Sequence, residues 1–127
     1  MGHTYRQHYT REQARALIPK VREWLQQLSI IRQRLAPTEK RVAQRIDIGE
    51  ELGGPLINEY IKDLCRLRNI LREFQQREIQ LKDLERGLID FPAIIGGKEV
   101  FLCWEQDEED IEFWHDLDTG FAGREPL

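Results

Sequence analysis

LIDFPAIIGGKEVFLCWEQDEEDIEFWHDLDTGFAGR, residues 88–124, is the stretch whose reading decides the fold. Up to residue 82 apolar side chains recur every third or fourth position, the period of a helix face. From residue 88 they run together or alternate between glycines, the pattern of strands and tight turns. Gly96 and Gly97 supply the positive φ angles of a two-residue hairpin, so residues 88–95 and 98–105 read as strand, turn, strand. A second turn in the acidic run 107–110 leads to a third strand, 111–116. Pro92 has no N–H for the ladder, which predicts an edge or a local bulge for the first strand. Gly87, Gly120 and Gly123 mark the flanking loops.

Register then decides which side chains share a face. With Gly96-Gly97 closing the first hairpin and Glu108-Glu109 the second, Phe91, Leu102 and His115 lie side by side, next to Ile89, Trp104 and Phe113. The opposite face carries Asp90, Cys103 and Trp114, with Glu105 beside Glu112. This register separates Cys103 from His115, which speaks against a Cys–His catalytic or metal pair, although a one-residue bulge reverses the assignment.

Working back toward the N-terminus, Thr10 and Gln13 have the form of a capping box. The apolar series Ala14, Leu17, Val21, Trp24, Leu28, Ile31, Leu35 has heptad spacing. Pro19 predicts a kink. Pro37 leaves open whether the helix runs on through Val42 or turns at 36–38. Gly49 and Gly53-Gly54-Pro55 punctuate the chain before a second heptad helix with Ile57, Tyr60, Leu64, Leu67, Leu71, Phe74 and Leu81. The expected architecture is α+β in a single domain. A tail (1–9) precedes a long antiparallel, coiled-coil-like helical hairpin (10–82), and a three-stranded antiparallel β-meander with a glycine-rich C-terminal loop follows (83–127). Helix seams of this kind predict a homodimer.

The 127 residues are 40% hydrophobic and 33% charged, with no apolar run near the ~20 residues of a membrane span and no secretory signal. The expected location is the cytoplasm, with Cys65 and Cys103 reduced. Charge is divided unevenly: residues 1–82 hold sixteen basic and ten acidic side chains, residues 83–127 three and thirteen. We read this as two parts that attract each other within or between chains. A sequence pI of about 5.4 disfavours a dedicated nucleic-acid binder, although Arg32, Arg34, Arg41, Arg45, Arg66, Arg68, Arg72 and Arg77 could track phosphates.

No catalytic or cofactor motif is present, so the reading leans away from an enzyme. His115 with Asp116, Asp118 and Glu105 forms a nitrogen- and oxygen-rich set suited to a divalent metal, against the plainer reading of a buried, hydrogen-bonded imidazole. Gly120-Phe121-Ala122-Gly123-Arg124 lacks the Gly-Lys-Ser/Thr of a phosphate loop. It reads as a turn that returns Arg124 onto Asp116 or Asp118. Trp104 is either a ligand-stacking or a core residue.

Four stretches carry a resemblance: YTREQARALIP, LKDLERGLIDFPA, VFLCWE and FWHDLDTGFAGREPL. With these the chain resembles a bacterial family of uncharacterised proteins, DUF2203. The resemblance implies a helical hairpin followed by a motif-rich C-terminal segment in a cytoplasmic bacterial protein. It brings no activity, and it marks Asp83, Glu85, Asp90, Trp104, His115, Gly120 and Arg124 as candidates. The leading expectation is a non-enzymatic interaction or scaffold module. The alternatives are a metal- or small-ligand-binding protein centred on His115, Asp90, Trp104 and Arg124, and nucleic-acid binding by the helices.

Overall fold

The computed structural model describes residues 2–49 and 54–127. Two helices, α1 (Arg11–Asp47) and α2 (Pro55–Gln76), precede five strands: β1 (Gln80–Asp83), β2 (Leu88–Ile95), β3 (Lys98–Glu105), β4 (Phe113–Asp116) and β5 (Glu125–Pro126). A 3-10 turn, Phe121–Gly123, sits between the last two strands. The strands form one antiparallel sheet in chain order. The α+β class is as expected, but the meander has five strands and not three.

Helix α1 starts where its sequence says. The Thr10 hydroxyl accepts from the Gln13 N–H and the Gln13 side chain accepts from the Thr10 N–H, which satisfies two otherwise orphaned donors. It continues through both Pro19 and Pro37, so the turn considered at 36–38 does not form. Trp24 packs on Phe74, Arg34 pairs with Asp63 and Tyr60 reaches Glu39, the pattern of an antiparallel hairpin. Helix α2 ends at Gln76, short of the expected 82. Glu78 takes φ 57, an unusual left-handed value for a non-glycine residue, and redirects the chain into β1. Of the Gly53-Gly54-Pro55 punctuation, Gly53 lies outside the described residues.

The N-terminal segment is held against the sheet instead of fraying. Tyr9 donates its N–H to the Pro92 carbonyl, and the N–H groups of Thr4 and Tyr5 both bond the Glu99 carboxylate. Arg6 and Gln7 do the same to Glu78.

One face of the sheet packs on the hairpin. Ile89, Phe91, Ala93, Val100, Leu102, Trp104 and the loop residue Ile111 share a core with Ala14, Val21, Trp24, Leu28, Ile70 and Phe74. Each fully buried large side chain there contributes roughly 1.5–3 kcal/mol of burial free energy. Part of the charge division is met inside the chain. Arg11 and Arg15 pair with Asp110, Arg32 with Glu85, and Arg22 donates to the carbonyls of Gln106 and Glu108.

Candidate functional site

The β2–β3 register is the expected one, with Asp90 opposite Cys103 and Phe91 opposite Leu102. The β3–β4 register is not. Phe101 lies opposite His115, Leu102 opposite Trp114 and Cys103 opposite Phe113, one residue from the sequence reading. Period-two alternation turns that slip into a change of face. His115 leaves the helix-facing row and joins Asp90 and Cys103 on the other side, while Trp114 packs against the hairpin-facing core. The cause is the connection 106–112, which is no symmetric two-residue turn. Glu105 N–H and Glu108 side chain, and Glu108 N–H and Glu105 carbonyl, bond one another. Arg15 holds Asp110, and Ile111 dips into the core with no exposure.

The second face therefore gathers Asp90, Cys103 and His115, all buried, with their donor atoms within 4.8 Å of one another. His115 Nε2 lies 3.0 Å from Asp90 Oδ2, and Nδ1 lies 2.7 Å from the Asp116 carbonyl. A carbonyl only accepts, so Nδ1 carries a hydrogen and a single further proton lies between Nε2 and Oδ2. The pair is thus neutral overall whichever partner holds that proton. Burial raises the Asp90 carboxyl above the usual range, partly offset by the His115 and Lys82 charges. The Cys103 thiol is pushed up to about 12, first by burial and then by Asp90, against the lowering effect of Arg124. It stays an S–H group. Asp90 Oδ1 is buried and lacks a well-aligned partner, with the Cys103 thiol as the donor beside the Asp90 carboxyl.

The C-terminal segment covers this face. Phe121 sits between two guanidinium groups, Arg86 and Arg124, each 4.2 Å from its ring centroid. Arg124 also stacks on Phe113 at 4.0 Å and makes a two-pronged ion pair with Glu108 at 3.0 and 2.9 Å. Its Nη1 is 3.9 Å from Cys103 Sγ. Between this roof and the sheet lies a cleft of about 270 Å³, with Asp90 and His115 among its lining, walls of Leu88, Phe101, Leu117 and Phe121, and Lys82 as the basic side chain among the described residues that line it. A larger groove of about 410 Å³ runs along the hairpin. Its charged groups Arg34 and Arg66 are both committed to Asp63, so it offers no free convergent chemistry.

The profile of the family described as an uncharacterized conserved protein, DUF2203, matches residues 7–127. The chain belongs to this family. No curated protein and no solved structure matches it.

The remaining candidates in this DUF2203 chain fall elsewhere. Trp104 is in the hairpin-facing core, where its indole N–H bonds the Glu108 carbonyl and Arg22 stacks on it, so it does not reach the cleft. Of the metal set expected around His115, Asp116 points to the opposite face and pairs with Lys98, Glu105 pairs with Arg86, and Asp118 is exposed. Arg124 pairs with Glu108 and not with Asp116 or Asp118. Asp83 accepts from the Arg86 N–H in the β1–β2 turn, and Glu85 pairs with Arg32. Gly120 takes φ 68 where the roof segment begins. Sequence reasoning missed Lys82, Phe121 and the partnership of Cys103. A second cluster, His3, His8 and Glu99, lies on the surface, with His8 Nε2 2.7 Å from Glu99. Among the described residues no helix is long and apolar enough to cross a membrane.

Proposed function

We propose that this protein binds a small monoanion with a short apolar body, such as a short-chain carboxylate, in the cleft above Asp90 and His115. One observation carries the reading: a neutral, buried acid–imidazole pair lines a cleft that has apolar walls and a cation, Lys82, in its lining. At about 270 Å³ the space is near the lower end of ligand pockets, which favours a small guest. Lys82 supplies the charge that holds a carboxylate, and the neutral pair beneath it adds no net charge to repel one. Binding needs no covalent step, and a cytoplasmic setting keeps Cys103 a thiol.

A panel of short-chain carboxylates, matched amides and matched amines, tested by thermal shift and calorimetry with chelator present, checks this. Carboxylates are expected to raise the Tm saturably, with affinity about tenfold lower in Lys82→Glu. If no carboxylate binds, or the amines bind equally well, the reading is wrong.

The interaction-module reading has its own support. Ile61, Leu64 and Leu71 lie exposed on α2 at heptad spacing, a stripe suited to pairing with a second copy. Sedimentation equilibrium would then show a concentration-dependent dimer that Leu64→Glu abolishes. A monomer at every concentration removes the homodimer.

A further inference from the structure

We propose that Asp90, Cys103 and His115 form a three-donor site for a zinc-class divalent metal ion, its fourth position open toward the cleft. The inference uses the same floor as the ligand reading but needs no organic ligand, so the two fail separately.

Two observations and two rules of coordination chemistry carry it. A carboxylate, a thiol and an imidazole, all buried, have donor atoms within 4.8 Å of one another. Bond lengths to zinc place tetrahedral donors roughly 3.3–3.7 Å apart, so closing the set requires movements of about an ångström. Mixed sulfur, nitrogen and oxygen donors suit zinc and its neighbours and disfavour magnesium or calcium. Asp90 Oδ1 is buried with no well-aligned partner, and the donor beside the Asp90 carboxyl other than His115 is the Cys103 thiol, itself one of the three proposed ligands.

The outer groups complete the arrangement. The Asp116 carbonyl fixes a hydrogen on His115 Nδ1, which leaves Nε2 as the ligating nitrogen, the usual second-layer device for a metal-bound imidazole. Arg124 lies beside the Cys103 sulfur, where its charge favours a thiolate. The proton balance follows. The metal-free floor is neutral, with one proton shared by Asp90 and His115 and one on Cys103. Three metal–donor bonds displace both, and a dication with one carboxylate, one thiolate and a neutral imidazole is again neutral.

The surface cluster of His3, His8 and Glu99 is a competing binder, so the test uses full-length protein carrying His3→Ala and His8→Ala. Chelator-stripped protein is titrated with zinc alone, then with cobalt alone. The expected result is one equivalent bound, about two protons released per zinc in weak buffer, and a thiolate-to-cobalt charge-transfer band. Cys103→Ser should abolish the band and weaken zinc binding by about 100-fold or more. Arg124→Gln should weaken it about tenfold. The proton count and the cobalt band are read without altering any of the three proposed ligands, so a poorly folding Cys103→Ser leaves the question decidable. Absence of stoichiometric uptake, uptake without a thiolate band, or unchanged affinity in folded Cys103→Ser overturns the site.

Discussion

The distal hairpin and the sheet cover their surfaces in opposite ways. Helix α2 buries Asp63, Ile70 and Phe74 but leaves Ile61, Leu64 and Leu71 facing outward. The sheet is covered on both sides. Its hairpin-facing side is apolar apart from the Lys98–Asp116 pair, whereas its other side holds an acid, a thiol and an imidazole under a roof built from Phe121 and Arg124. A helix needs only one buried stripe to be stable, so its second stripe is free for a partner. A sheet with both faces covered must satisfy its polar groups internally, and here Asp90, Cys103 and His115 do so largely through one another and the Asp116 carbonyl.

The largest expected contrast tests this difference directly. Trp104→Ala empties the centre of the covered face and should cost about 3–5 kcal/mol in urea unfolding. Leu64→Glu on the outward stripe should change monomer stability by no more than about 0.5 kcal/mol. Equal losses would mean that the stripe belongs to the core of the folded chain.

A next effect separates the two faces of the sheet. Asp90→Leu strands His115 without its carboxyl partner and should cost about 3 kcal/mol. The double variant Asp90→Leu/His115→Leu should recover a large part of that loss. If the two single losses simply add, Asp90 and His115 are not coupled, and the shared-proton pair is wrong.

The smallest effect concerns the N-terminal segment at the sheet edge. Burial opposes ionisation of Glu99, but hydrogen bonds from His8 and from the Tyr5 and Thr4 backbone outweigh it and hold its pKa at about 2, below the usual 4.5. Because the folded value is the lower one, the stabilisation is present above pH 4.5 and is lost as the pH falls toward 2. Hydrogen exchange should therefore show residues 4–9 loosening in that window before the core does. Glu99→Gln should remove the pH dependence. Exchange that rises together in segment and core would sink the assignment.

Much of this architecture was legible beforehand because it rests on local rules. The Thr10/Gln13 cap, the heptad stripes and the Gly96-Gly97 hairpin depend on neighbours within a few residues, and all three are present. Gly96 and Gly97 take φ 58 and 79, as the tight turn demands. Strands β1 and β5 were missed for a related reason. Each is short and carries little alternation of its own, and each is defined by the partner it pairs with. The N-terminal segment reads as polar and loose until Glu78 and Glu99, more than seventy residues away, accept its N–H groups.

By itself the sequence determined the helical hairpin, the first β-hairpin and its register, since periodicity and turn chemistry are written in adjacent residues. Only the tertiary structure decided which side of the sheet His115 occupies. That choice depends on the parity of the connection 106–112, set by Ile111 reaching into the core and by Arg15 and Arg124 holding Asp110 and Glu108. One residue of slip there moves the imidazole from an apolar row to the company of Asp90 and Cys103, because successive side chains of a strand point to opposite faces.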